Sequence, residues 1–246
     1  MVYCHTKGRL GNVLFQLSTL MAYALDNGLE FTINSYTKDP VMQPLYFQHL
    51  VKPLPDLPGV WYREMQHNYV PIPFEEEWRG KNIFLDGFFQ SEKYFKHRRK
   101  EVLESLNFKK YPELSDCISI HVRRGDYLTI PGKHIDNTGK FMERAIGYLH
   151  GEKFAVFSDD IEWCKVYFKS KFPDKEFIFP GNDNPLDEIG MISSCRHHVN
   201  SSSTFSWWGA WANEYEDKVI VTPREWFQST QKEDTSDIIP ENWIKI

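Results

Sequence analysis

The sequence lacks both of the nucleotide cradles that can be read directly from a chain: there is no G-x-G-x-x-G fingerprint and no phosphate loop ending in Gly-Lys-Ser/Thr. Its cysteines are few and scattered. Cys4, Cys117, Cys164 and Cys195 form no C-x-x-C pair, and no histidine stands at zinc-finger spacing from them. That excludes a disulfide framework and a structural zinc module, and the thiols read as reduced. No apolar run reaches membrane-spanning length, and the opening Met-Val-Tyr-Cys-His-Thr-Lys is too poor in apolar residues for a signal peptide. The expectation is a cytoplasmic protein with no integral membrane segment. Excess positive charge is also missing. A formal net charge of −5 over 246 residues gives no basic footprint for nucleic acid, though it leaves room for local sites that take small anions.

What is present is concentrated around Ile118–Leu128, a β-type run (Ile118 to Val122) that breaks into Arg123, Arg124, Gly125 and Asp126. Each guanidinium is permanently charged and presents a planar fork of donors, a shape matched to phosphate oxygens. Asp126 can steady one of them from behind. Taken alone, the cluster reads equally as a surface turn in which Arg and Asp pair with each other.

The surrounding pattern changes that weighting. From residue 117 onward, strand-like runs at 118–122, 154–157, 176–179, 197–200 and 218–222 alternate with helical ones near 139–150, 160–172, 185–195 and 204–214. Alternation of this kind predicts a parallel sheet covered on both faces, with ligands outside the carboxyl ends of the strands. Three polar clusters fall on that edge: Arg123 to Asp126, then Ser158-Asp159-Asp160, then Asn200 to Ser206. A serine and threonine run opening a helix offers hydroxyl and backbone donors to phosphate, although one serine would suffice as a cap. Asp159 or Asp160 can accept from a guanine edge, bind a metal, or cap the helix that begins at Ile161. Trp207, Trp208 and Trp211 could stack on a ring, but on a helix packed against a sheet they read as core. Together the clusters describe a nucleoside diphosphate site that needs no metal.

The amino-terminal half opens with a strand at 2–5 and the loop Lys7-Gly8-Arg9-Leu10-Gly11-Asn12. A helix follows with Leu14, Leu17, Met21 and Leu25 on one face, then a strand at Phe31 to Ile33. The glycine loop can bring N–H groups to a phosphate or sugar, or simply make a tight turn. Residues 36–80 are proline- and aromatic-rich and predict irregular structure. Ile83 to Leu85 and a helix reaching about Phe108 complete this half. The basic run Lys96 to Lys100 reads as a solvated face.

These residues resemble a known family. His121-Val122-Arg123-Arg124-Gly125-Asp126-Tyr127 is similar to the signature of the α-1,2-fucosyltransferases, glycosyltransferase family eleven. So are Gly8 to Gln16, Asp86 to Phe95, Phe157 to Asp160, Ser202 to Asn213 with its Phe-Ser-Trp-Trp-Gly-Ala-Trp core, and Pro240 to Ile244. The first motif departs from the usual Gly-Gly-Leu-Gly-Asn-Gln-Met-Phe-Gln at Arg9 and Val13-Leu14. The stretch between Gly28 and Asp86 is also shorter than is usual. Both departures bear on the acceptor more than on the donor.

The resemblance implies an α/β, GT-B-like fold of two Rossmann-type halves facing across a cleft, residues 1–112 on the acceptor side and 113–246 binding GDP-β-L-fucose. The implied reaction is inverting transfer of fucose to the 2-hydroxyl of a galactose-terminated glycan, without metal and with no cofactor beyond the donor substrate. Carried over, Arg123 holds the β-phosphate with Arg124 close by. His121 and Asp159 or Asp160 face the guanine, and Ser202, Ser203, Thr204, Phe205 and Ser206 face the diphosphate. Asn12 with Gly8, Arg9 and Gly11 faces the fucose and acceptor. The general base stays open among His5, Asp126, His134 and Asp136. Two rival readings remain: an idle nucleotide-sugar binder, suggested by the altered first motif, and a metal-dependent transferase using Asp159 and Asp160. Peripheral contact with membrane-linked glycan synthesis stays compatible with a cytoplasmic location.

Overall fold

The computed structural model describes residues 1–34, 45–53, 55–129, 138–181, 184–227 and 234–246. The chain divides into two compact units, Met1–Leu106 with Glu233–Pro240, and Asn107–Lys232 with Glu241–Ile246.

The first unit runs β1 (Val2–His5), α1 (Leu10–Asp26), β2 (Phe31–Asn34), β3 (Gly59–Arg63), β4 (Asn82–Asp86) and α2 (Arg99–Leu106). Its four strands pair in the order β2-β1-β4-β3, every pairing parallel. Val2 and Cys4 are buried while Tyr3 and His5 are partly exposed, the period of two expected of a strand. Helix α1 is apolar nearly all round, so Val13 to Ala24 is buried. Leu25 is the exception to the predicted stripe, being 45% exposed at the helix end.

Strand β3 lies inside the stretch expected to be irregular. It is an edge strand flanked by Pro55 and Pro58, and its alternation of exposed and half-buried positions gives no apolar run to read. The predicted helix up to about Phe108 begins as 3-10 turns at Glu92–Tyr94 and Lys96–Arg98 before α2. In the basic run, His97 and Arg98 both meet the Asp26 carboxylate, at 2.7 and 2.8 Å.

The second unit comprises β5 (Ile118–Val122), α3 (Gly125–Thr129), α4 (Lys140–Leu149), β6 (Lys153–Ser158), α5 (Ile161–Lys171), β7 (Glu176–Ile178), α6 (Pro185–Ser194), β8 (His197–Val199), α7 (Thr204–Ala212), β9 (Ile220–Thr222) and β10 (Ile244–Lys245). The six strands are parallel and ordered β10-β9-β8-β5-β6-β7. The chain moves outward from β5 in one direction, then returns to lay β8 against the other side of β5. That is the strand order of the doubly wound dinucleotide-binding fold.

On one face of this sheet Ile118, Ile120 and Val122 pack with Phe141, Met142, Phe154 and Phe168. On the other, Ala155 and Phe157 pack with Ile192 and Cys195. With both faces covered, all five residues of β5 are buried, and its two polar side chains, Ser119 and His121, are hydrogen-bonded to His198 and Ser201. Trp207 and Trp208 are fully buried and Trp211 nearly so, as core residues. The α/β class and parallel sheets are those expected. The short α3 and the closing β10 were not legible in the sequence, one too brief for a period and the other only two residues long.

Among the described residues, no helix is long and apolar enough to cross a membrane.

Candidate active site

The reversal of strand order between β5 and β8 leaves a crevice at their carboxyl ends, where neighbouring connections leave in opposite directions. The sequence places Arg123 and Arg124 at the end of β5 and Asn200 to Ser203 at the end of β8, so two of the three polar clusters border this crevice. The third follows β6, the other neighbour of β5, and the fold joins it directly to the first.

Arg123 Nη1 donates to Asp159 Oδ2 at 2.9 Å, and the main-chain N–H of Arg124 donates to Oδ1 of the same carboxylate at 2.9 Å. Arg124 Nε donates to Asp160 Oδ2 at 3.1 Å, and its guanidinium lies 3.7 Å over the Trp163 ring. Arg124 is thereby held on three sides, by two carboxylates and an indole face. The Arg123 guanidinium lies 5.5 Å from the Tyr127 ring, and the Tyr127 hydroxyl donates to the Ser202 carbonyl at 2.8 Å. The arginine loop and the serine loop are thus tied by a single side chain.

Asp159 reaches this position because residue 125 has no side chain. A Cβ at Gly125 would lie 2.5 Å from Asp159 Oδ2. Asp160 has a second duty at the start of α5, where Oδ1 accepts from Trp163 N at 3.3 Å and the Ser158 hydroxyl accepts from Asp160 N. Both carboxylates are therefore committed to the arginines and the helix cap. Among the described residues, no group of three His, Cys, Asp or Glu side chains converges to hold a metal.

His121, expected to face the guanine, is buried with Nδ1 2.7 Å from the Ser201 hydroxyl, and its ring centroid is 5.7 Å from that of Phe205. Burial pushes its pKa down to about 4 against the opposing pull of Asp159, so the ring is neutral at ordinary pH. Ser203 caps α7, its hydroxyl accepting from Phe205 N at 3.3 Å. The Ser202 hydroxyl donates to the Glu225 carbonyl, and that of Ser206 to the carbonyls of Ser201 and Ser203. With these hydroxyls turned onto the protein, the capacity of the Ser202–Ser206 run for an anion rests on the start of α7 and its dipole. Thr204 and Phe205 are partly exposed there.

In the first unit, Gly8 adopts φ +82, and a Cβ on it would meet Asn12 Nδ2 at 2.5 Å, so glycine is required on both counts. Arg9 precedes α1 in extended conformation without capping it, and Gly11 is buried in its first turn. Asn12 Oδ1 accepts from Gln90 Nε2 at 2.8 Å, joining the first motif to the stretch after β4. Buried Gln16 closes the loop by bonding both the N–H and the carbonyl of Lys7. Lys7 and Arg63 then grip the two oxygens of Asp86, each at 2.8 Å. Burial alone would raise the Asp86 pKa, but the two cations bring it below the usual carboxylate range. His5 ends β1 with its ring against Phe84. The Asp126 side chain, His134 and Asp136 lie outside the described residues.

Two acidic residues belong to this picture that the sequence did not single out. Glu64 accepts from the N–H groups of Phe88 and Phe89, which holds Phe89 at φ 52; burial raises its pKa against those bonds. Glu188, in the first turn of α6, is pushed up to about 7 by burial and then by the negative charge of Asp159. Glu188 carries no distinguishing signal in the sequence, because its proximity to Asp159 depends on where α6 docks. The four cysteines are free and buried, and burial raises their pKa values, Cys4 to about 12 and Cys117 to about 11. None is poised as a nucleophile.

A doubly wound parallel unit with paired guanidiniums and a helix start beside its switch point is of the class that holds anionic ligands outside the carboxyl ends of its strands. The particular assignment comes from comparison with known proteins: the profile of "Glycosyl transferase family 11" matches residues 1–246, and the chain belongs to that family. An "Alpha-1,2-colitosyltransferase" of Escherichia coli is 36% identical over 188 residues, covering 68% of this chain and 63% of that protein. A "Galactoside 2-alpha-L-fucosyltransferase SEC1" of Bos taurus is 27% identical over 236 residues, covering 84% of this chain and 63% of that one. The chain thus spans a little under two thirds of the length of each of these relatives. The crystal structure of POFUT1 in complex with GDP aligns with 89% of this chain and 97% of its own at 14% identity, with a TM-score of 0.48.

Proposed function

We propose that the chain is an inverting α-1,2-fucosyltransferase that moves L-fucose from GDP-β-L-fucose to the 2-hydroxyl of a galactoside in glycan biosynthesis. The second unit takes the donor and the first presents the acceptor, in a cytoplasmic protein. The observation that carries the reading is the arginine pair at the end of β5, with Arg123 held by Asp159 beside the start of α7.

In the proposed reaction the bond between the fucose anomeric carbon and the β-phosphate oxygen breaks, and its electron pair leaves with GDP. The acceptor hydroxyl attacks the opposite face, forming the new C–O bond, and its proton passes to one of the candidate bases His5, Asp126, His134 and Asp136. Negative charge grows on the diphosphate, where Arg123 and the α7 dipole stabilise it. Arg124, bound on three sides, keeps the loop in place instead of following the substrate. Because Asp159 and Asp160 are committed to the arginines, the guanine edge is assigned to Glu188. Its carboxyl can accept from both N1–H and the 2-amino group.

The test is GDP release from GDP-fucose in EDTA, with and without lactose, and with the corresponding colitosyl donor in a parallel arm. The colitosyl arm is included because one similar protein carries that name. Lactose-dependent release of GDP from GDP-fucose supports the proposal. Release only from the colitosyl donor would replace the donor sugar. Release restored only by manganese would favour the metal-dependent rival, and binding without turnover the idle one.

A further inference from the structure

Away from the arginine pair, the second unit carries a cavity of about 680 Å³ between α4 and the segments that follow β9 and β10. That volume is within the range of small-molecule sites. One wall is a stripe of α4 in which Phe141, Arg144 and Tyr148 stand at i, i+3 and i+7, and so on one helix face. Pro223, Arg224, Glu225 and Ile246 complete the lining. Phe141 is almost buried and Tyr148 is 50% exposed, so the α4 wall offers an anchored ring and an accessible one.

Among the described residues, neither the Arg144 nor the Arg224 side chain is ion-paired; the Arg224 guanidinium donates to the Lys245 carbonyl at 3.4 Å and its main-chain N–H to Ile246 O at 3.1 Å. Arg196 and Lys175, by contrast, are both ion-paired. Two guanidiniums and one carboxylate, that of Glu225, line the cavity, and an oxyanion bound there would balance the remaining positive charge. The cavity is also connected to the candidate active site. The Glu225 carbonyl accepts from the Ser202 hydroxyl, the Ser202 carbonyl accepts from Tyr127, and the Tyr127 ring adjoins Arg123.

We propose that this cavity is an additional acceptor contact on the donor-side unit, separate from the site of the reacting galactose: it takes an acidic sugar residue of the acceptor glycan, its carboxylate held by Arg144 and Arg224 and its ring laid against Tyr148. The inference rests on the glycan-acceptor reading above. Two aromatic side chains beside two arginines and a glutamate favour a carboxylated sugar over a membrane surface, which would call for a uniformly basic face.

Binding of a glucuronic-acid-containing disaccharide and of its neutral counterpart is measured by calorimetry on the full chain saturated with GDP, so that the donor site is filled. The acidic sugar should bind at least tenfold more tightly. That preference should fall with added salt, and should fall on the order of tenfold in Arg144→Ala and again in Arg224→Ala. Transfer to lactose, measured separately, should remain in both variants. Equal binding of the acidic and neutral sugars, or a preference that survives both substitutions, overturns the proposal. Loss of anionic-vesicle binding in the variants without any change in sugar binding would reassign the cavity to a lipid headgroup and also overturn it. A failure of lactose transfer in the wild-type chain, with sugar binding intact, would count against the proposed activity and not against the subsite.

Discussion

The Arg123 guanidinium and the Asp159 carboxylate meet at 2.9 Å across the ends of neighbouring strands, and the other oxygen of Asp159 takes the main-chain N–H of Arg124. One carboxylate thus fixes both the direction of the Arg123 side chain and the path of the loop that carries it. Arg123→Ala should cost on the order of 10³-fold in turnover, by the scale of arginines that stabilise a departing phosphate. Arg123→Lys should recover little of this, because an ammonium lacks the fork that spans Asp159 and a phosphate together. Steady-state rates with circular dichroism as a folding control decide the matter; near wild-type turnover in Arg123→Ala would remove the central assignment.

Asp159 can be moved without being touched. A methyl group at residue 125 would sit 2.5 Å from Asp159 Oδ2, so Gly125→Ala must push the carboxylate away or displace the loop. Gly125→Ala and Asp159→Asn should therefore fail alike, each lowering kcat roughly 10- to 100-fold with a smaller change in GDP affinity. In the double variant the losses should not add, since both act on one contact. Additive losses would show that Gly125 matters for some reason other than admitting Asp159.

The strands and helices of the second unit were legible because short β-type runs alternate with segments of helical period. The three polar clusters were legible for the same reason, since strand ends mark where chemistry can gather. Pairing was not. Asp159 and Asp160 read equally well as ligands for guanine, for metal or for a helix start. Only the register of β6 against β5 shows that both are spent on arginines. In the first unit, Glu64 stood in a proline-rich stretch without periodicity, and its clamp on Phe88 and Phe89 follows from the pairing of β3 with β4.

His121 tests the same logic through a proton. Burial lowers its pKa to about 4, so the ring should show no titration between pH 5 and 8 and no limb of the pH–rate profile should belong to it. Nitrogen chemical shifts of the imidazole would report this directly. Ser201→Ala removes the partner of Nδ1 and should destabilise the fold by about 1–3 kcal/mol, the cost of a buried polar atom left without a bond. Titration of His121 near 6.5 in the wild-type protein would mean that water reaches the ring.

Glu188 gives the sharpest pH dependence. Its carboxyl keeps a proton up to about pH 7 in the folded chain, against 4.5 when exposed. This group's contribution to stability is therefore full below about 4.5 and is lost as pH rises through about 7. Glu188→Gln cannot ionise, so it should match the wild type at low pH and exceed it by up to roughly 3 kcal/mol at pH 8 without ligand. Ligand binding should run the other way. In the proposed complex guanine donates N1–H and its 2-amino group to the ionised carboxylate, so GDP should bind more tightly as pH rises from 6 to 8, releasing a proton on the acid side of that range. Inosine diphosphate lacks the 2-amino group and should bind more weakly, by about 1–3 kcal/mol. In Glu188→Gln both the pH dependence and most of the preference for GDP over inosine diphosphate should disappear. Calorimetry in buffers of different ionisation enthalpy measures the released proton and the two affinities together. An unchanged preference in the variant would move guanine recognition to another residue, while leaving the stability argument for Glu188 intact.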